Sequence, residues 1–197
     1  VLEVVLRADS VADSGKKDGV LAKTTKLAVV APDAAVRKAG DPTYTGDGEI
    51  NTTGLNQSVG DKVARDHAAV YDIEVQNDGN VADWFIINCG APSTGWTVKV
   101  FDALTGGSDK SSAALSTGGW ATASAAAGSS VYFRLEVTPD QSVVAGASQE
   151  ILVTAKANKD PGQKDVVKVT TTKAFITPDG AIRNQGDPGY DGDAVYN

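Results

Sequence analysis

The sequence predicts an all-β fold, a two-sheet antiparallel sandwich set in a tandem repeat, and three observations carry that prediction. Apolar and polar residues alternate along several short runs, which is the period of strands with one buried face. Gly, Pro, Asn and Asp separate those runs as turn formers. The chain also repeats itself. Pro32–Asn51 (PDAAVRKAGDPTYTGDGEIN) and Pro178–Asn197 (PDGAIRNQGDPGYDGDAVYN) align without a gap at an offset of 146, with 11 of 20 positions identical. A period of this kind defines the building unit before any local element is assigned.

The elements follow in order. Val1–Val30 reads strand, polar turn, strand, and aligns with Ile151–Ile176 through Val20 on Val166 and Thr24-Thr25 on Thr170-Thr171. It is therefore expected to be the last hairpin of a preceding or partner sandwich. A lone hairpin is marginal in water and its edges invite pairing, so something must complete it: an earlier part of the polypeptide, a neighbouring subunit, or the body of the chain. Residues 31–53 lack a hydrophobic period and read as a Gly/Asp-rich connector, as do 176–197, the second copy.

Between them, 54–175 is expected to form the complete sandwich. Ala68–Gln76 supplies a strand with Val70, Ile73 and Val75, closed by the turn Asn77-Asp78-Gly79-Asn80. Asp83–Asn88 and Trp96–Phe101 follow, the latter with Trp96, Val98 and Val100 on one face. Ser130–Val137 places Val131, Phe133, Leu135 and Val137 on one side. Glu150–Ala157 and Asp165–Thr172 make the last hairpin. Gly106–Gly119 reads as a long polar loop, and Ala121–Ala127 as strand and turn rather than helix.

Composition narrows the function classes. The chain of 197 residues carries 18 basic and 25 acidic residues, a net charge of -7. That balance argues against nucleic acid, which needs a concentrated basic surface. No run approaches the roughly 20 apolar residues that span a bilayer, so no membrane insertion is expected. No signal peptide is visible, and a removed one would leave no trace. The single Cys89 forms no internal disulfide and reads as a small buried hydrophobe. His67, the only histidine, sits in a charged run without nucleophile or metal-ligand company. No catalytic residue is assigned, and an enzyme is not expected.

The stretch Val70–Asp102 (VYDIEVQNDGNVADWFIINCGAPSTGWTVKVFD) contains N-x-G-N, D-x-F and G-W-x-V-x-F in succession. Val137–Thr172 adds a strand ending in Pro, an Ala-Gly turn, an alternating strand and a final strand running into Thr-Thr. Together they resemble the bacterial and archaeal Ig-like modules of extracellular proteins, of the NPCBM-associated and CARDB-like kind. The resemblance implies an Ig-like antiparallel β-sandwich, usually in tandem, serving as stalk, spacer, surface-layer part or enzyme appendage. It transfers no binding residue.

Candidate sites lie mainly in the repeated connector. Asp33, Arg37 and Tyr44 recur as Asp179, Arg183 and Tyr190. An Arg pairing with the nearby Asp, beside a Tyr with an apolar face and a polar tip, suits inter-domain or inter-subunit docking. Asp41, Asp47 and Asn51 recur as Asp187, Asp193 and Asn197. Such oxygen donors broken by glycine are candidate calcium ligands, although the spacing is not that of the EF-hand loop and Asp-Pro and Asp-Gly serve turns equally well. Among Trp84, Trp96 and Trp120, the last, beside Gly118-Gly119, is the candidate ring for stacking on a surface glycan. No other cofactor is implied. The sequence reading is a non-enzymatic extracellular or cell-surface repeat protein that associates with copies of itself as a filament, stalk or surface-layer component. The alternative is a carbohydrate-binding or adhesion module.

Overall fold

Alternation becomes strand, and in Phe85–Cys89, Trp96–Phe101, Ser130–Pro139 and Ser148–Ala157 the apolar face is the buried one. A computed structural model describes residues 2–175. Its first two strands, β1 (Leu2–Asp9) and β2 (Lys17–Thr24), pair antiparallel with each other alone, and every residue of both is exposed. The sandwich follows. One sheet has four strands in the order β3 (Pro32–Lys38), β5 (Ala69–Asn77), β9 (Ser130–Pro139), β7 (Trp96–Phe101). The other has five, in the order β4 (Ser58–Val63), β11 (Lys164–Lys173), β10 (Ser148–Ala157), β6 (Phe85–Cys89), β8 (Trp120–Ala121). All pairings are antiparallel except β4 with β11. This is an Ig-like β-sandwich.

The core is what the two inner faces bring together: Val36, Ile73, Val75, Phe133 and Leu135 from one sheet, Phe85, Ile87, Ile151, Val153, Val167 and Val169 from the other. Removing such apolar surface from water is the main favourable contribution to the fold. Tyr71 ties the sheets across that core, its buried hydroxyl donating to the Thr170 carbonyl at 3.1 Å and lying 2.9 Å from Thr171 Oγ1.

Four expectations are revised. Residues 31–53 hold a regular strand of the sandwich, β3, where the sequence suggests a connector outside it. Asp33, Ala34, Ala35 and Val36 are all buried, so both faces of β3 are covered and no alternation survives in the sequence. Gly106–Gly119 contains one helical turn, α1 (Ser111–Ala114), which buries Ala114 completely against the core. In β5 the inward residues are Ala69, Tyr71, Ile73 and Val75; Val70 falls on the opposite face, one residue out of phase with Ile73.

The fourth revision concerns register. Ala155 pairs with Asp165, Val153 with Val167 and Ile151 with Val169, while Ala8 pairs with Asp18, Leu6 with Val20 and Val4 with Ala22. Val20 therefore stands in the place of Val167, not Val166, and Thr24-Thr25 in the place of Thr171-Thr172. A slip of one residue exchanges the faces of a strand. The hairpins correspond at an offset of 147 and the connectors at 146, so the extra residue lies in the linker before Pro32.

Candidate functional site

The repeated segment and the linker before it converge on one end of the sandwich, where β3 begins. Asp33 is 1 % exposed, and its Oδ2 accepts the Gly48 N–H at 2.7 Å; its Oδ1 has no hydrogen-bond partner among the described residues. Burial raises its pKa to about 6; the Gly48 amide pulls the other way and the Asp165 charge adds to the rise.

Asp165, on β11, is fully buried and well supplied with donors. Its Oδ2 accepts the Ala34 N–H at 2.7 Å and Gln57 Nε2 at 3.1 Å, and its Oδ1 accepts the Asn51 and Val166 N–H groups at 2.9 and 2.8 Å. Burial raises its pKa, and these amides lower it again. One carboxylate on the last strand thus holds the first strand and the far end of its loop. Charge-assisted bonds of this kind are the stronger class.

The remaining invariant residues of the segment also find partners within their own sandwich. Arg37 reaches Asp72 Oδ2 through Nε at 3.1 Å and Nη2 at 3.0 Å, in place of the expected Asp33, and its guanidinium lies 4.5 Å from the centre of the Tyr44 ring. Burial pushes the Tyr44 phenol up to about 12. The loop folds back on β3 through paired bonds between Val36 and Thr45, 2.9 and 2.8 Å. Gly46, at φ 112°, permits this approach; a Cβ there would come within 3.0 Å of the Ala34 oxygen and of Gln57 Cγ.

The candidate calcium ligands Asp41, Asp47 and Asn51 each have a hydrogen-bond partner in the loop, on β3 or on β5. Asp47 accepts Gln76 Nε2 at 3.1 Å, whereas Asn51 Oδ1 caps its own turn by accepting the Thr53 and Gly54 N–H groups at 2.9 and 2.8 Å. Asp41 uses its backbone N–H on the Lys38 carbonyl. No group of three or more metal-ligating His, Cys, Asp or Glu side chains occurs among the described residues. Asp179, Arg183, Asp187, Tyr190, Asp193 and Asn197 lie outside the described residues.

The turn Asn77–Asn80 has a second role that sequence reasoning misses: it clamps the linker. Asn80 Oδ1 accepts the Val29 N–H at 3.0 Å, the Asn80 N–H donates to the Val29 carbonyl at 2.9 Å, and Asn80 Nδ2 donates to the Leu27 carbonyl at 3.0 Å. The Asp78 N–H donates to the Ala31 carbonyl at 2.9 Å. Gly79 makes room, since a Cβ there would strike the Val29 oxygen and stand 3.0 Å from Val30 Cα. Asn77, fully buried, fixes the turn by donating to the Val81 and Ala125 carbonyls at 2.9 and 3.0 Å. The only signal of the clamp in the sequence is the N-x-G-N motif of the resemblance.

The other candidates sit elsewhere. Trp96 is buried in the core, Trp84 is exposed, and Trp120 is half-buried, edge-on to Phe133 with 5.6 Å between ring centres. Trp120 borders an open groove of about 650 Å³ shared with Asp102, Leu104, Lys110 and Tyr132. His67 is exposed in a turn, and burial pushes the Cys89 thiol up to about 12. No helix among the described residues is long and apolar enough to cross a membrane.

No protein-family model and no curated protein matches the sequence, so the narrower NPCBM-associated or CARDB-like assignment stays a resemblance. Solved structures similar in outline include a FixG-related protein from Vibrio parahaemolyticus, 9 % identical with a TM-score of 0.42 over 75 % of this chain and 100 % of that one. The N-terminal domain of PorA is 9 % identical, TM-score 0.41, over 71 % and 96 %. A PapD-like domain of human CEP192 is 12 % identical, TM-score 0.37, over 73 % and 85 %. Likeness at this level carries no functional argument, and what the molecule does must be argued from its own geometry.

Proposed function

We propose that this chain is part of a non-enzymatic, extracellular structural array, in which sandwiches of this kind follow one another head to tail and span distance as a filament, stalk or surface-layer component. The observation that supports the reading most is the Asp165 bridge. It joins β3, through which the chain enters the sandwich, to β11, through which it leaves. Tension applied along the polypeptide is then borne by a buried charge-assisted link between those two strands as well as by their ladders. The Asn77–Asn80 clamp adds to this by holding the linker at Leu27, Val29 and Ala31, which sets the direction in which a preceding unit departs.

Repetition of the Pro32–Asn51 segment supplies the tandem element. The non-enzymatic element rests on the same residues: Asp33 holds the Gly48 amide, Arg37 pairs with Asp72 and lies over the Tyr44 ring, the one thiol is buried, and the one imidazole is alone in an exposed turn. Small-angle X-ray scattering from a protein of two consecutive units tests the reading. A rod of roughly twice the single-unit length is expected; a broad distribution of bent forms with the clamp residues intact would overturn it.

A further inference from the structure

We infer that the apolar face of the β1–β2 hairpin is a docking site for the Pro178–Asn197 segment of a second copy of this chain, with Asp18 as the acceptor that captures its backbone amides. Along that face lie Leu2 with Thr24, Val4 with Ala22, Leu6 with Val20, and Ala8 with Asp18. Leu2, Val4, Leu6 and Val20 are 65, 44, 66 and 61 % exposed. The opposite face is the more polar one, with Glu3 and Lys23 in an ion pair at 3.2 Å, Asp9 opposite Lys17 and bonded to Arg7 at 2.8 Å, and Val5 with Leu21 its one apolar pair. A row of apolar residues this long on one face of a two-stranded ribbon needs a cover.

The sandwich shows what covers such a face. Its own last hairpin presents the same succession: Gln149 with Thr171, Ile151 with Val169, Val153 with Val167, Ala155 with Asp165. All eight are buried. The acids also share their local geometry, since Asp18 Oδ1 accepts the Gly19 N–H at 2.8 Å as Asp165 Oδ1 accepts that of Val166 at 2.8 Å. Lys26 and Lys173 fall at corresponding places in this register.

Over the β10–β11 face lies the opposed sheet, whose first strand belongs to Pro32–Asn51; that segment donates the Ala34 and Asn51 N–H groups to Asp165 and adds Ala34 and Val36 to the core that holds Val153 and Val167. The chain has one further segment of that chemistry, Pro178–Asn197. It keeps the Pro-Asp start, the Arg, the Tyr and the closing Asn, with Ile182 for Val36. Hairpin and segment are thus the last and first pieces of one sandwich. Placed in consecutive copies they form a joint that repeats without closing on itself, with Asp18 in the place that Asp165 takes against Ala34 and Asn51.

The inference rests on the head-to-tail reading above but has its own test. Full-length chain carrying Val20→Cys and Ile182→Cys is oxidised and its products separated by size, beside a chain carrying Val5→Cys and Ile182→Cys on the opposite hairpin face. The expected result is a ladder of disulfide-linked oligomers from the first and little from the second. Adding Asp18→Ala should slow the ladder about tenfold, the worth of a hydrogen bond to a charged group. An excess of synthetic peptide 178–197 should suppress it. Equal rates at the two faces, indifference to the peptide, or monomer alone would each overturn docking, as would hairpin-to-hairpin linkage in the Val20→Cys single variant. Rod-like scattering from the two-unit protein together with no ladder would remove this joint while leaving the array.

Discussion

The β1–β2 and β10–β11 hairpins share one design and meet opposite fates. Both put small and branched apolar residues on one face, end that face with an Ala–Asp pair, and turn through polar residues. One is exposed throughout, the other fully buried on its inner face. What separates them is a sandwich around the second: β4 and β6 flank it, and the sheet opened by Pro32–Asn51 lies over it, with the Ala34 and Asn51 amides on Asp165, Tyr71 on Thr170, and Val36, Ile73 and Phe133 in the shared core. A period-2 pattern therefore decides which face of a ribbon is apolar, but burial is conferred by strands distant in sequence.

The sharpest way to break that comparison is to remove each acid in turn. Asp165→Ala leaves the Ala34 and Asn51 amides without this acceptor in a dry interior, while Gln57 Nε2 keeps the Glu49 carbonyl. At about 1–3 kcal/mol for each orphaned donor, less the relief of not burying a carboxylate, it should cost about 3 kcal/mol in denaturant unfolding. Asp18→Ala in the single chain should fall within about 0.5 kcal/mol of the parent. Equal losses would mean that the hairpins do not differ in the way described.

A smaller effect sharpens the electrostatic side. The pKa of Asp33 is raised to about 6 in the folded chain from an ordinary 3.8. Between those values the native state binds more protons than the unfolded one, so stability is greatest on the acid side and falls as pH rises toward 6. From about pH 7 down to about pH 4.5 this group should add about 2 kcal/mol, seen as a rise in Tm. Asp165, shifted in the same direction, adds to the trend. Below that range Asp102, Asp109 and Asp140, whose pKa values are lowered by their own hydrogen bonds, work in the opposite sense. Asp33→Asn should flatten the Asp33 part of the rise; an unchanged profile would show that its carboxyl is not the group titrating.

The smallest expected effect falls at the clamp. Gly79→Ala drives a methyl against the Val29 carbonyl, and overpacking of this sort costs about 1–2 kcal/mol. Because the linker is not part of the core, the loss should appear locally, as faster amide exchange at Val29, Asp78 and Asn80, while the melting of the sandwich shifts little. A global loss with unchanged exchange at Val29 would show that the turn serves the sandwich and not the linker.

Much of the sandwich was legible in the sequence because its strands have one wet face. β6, β7, β9, β10 and β11 alternate and stand near where alternation put them. β3 was illegible for the opposite reason: Asp33, Ala34, Ala35 and Val36 are buried on both sides, and small residues with one acid give no period. β4 was missed because Asp61 interrupts the row of Val59 and Val63. At the site, the identities between the two copies pointed to Asp33, Arg37, Tyr44 and Asn51. They could not name Asp72, Asp165 or Asn80, which lie on other strands and turns.

By itself, then, the sequence determined the class of fold, the repeated segment, and a hairpin at residues 1–30 that matches the last hairpin of the sandwich, since period, turn chemistry and internal identity are local properties of the chain. Only tertiary structure decided that the repeated segment opens a sandwich, that Asp165 binds the first strand to the last, and that the hairpins align one residue away from the connectors. Hydrogen bonds between Ala34 and Asp165 join residues 131 apart, and no local pattern encodes which of many buried amides a distant carboxylate will meet.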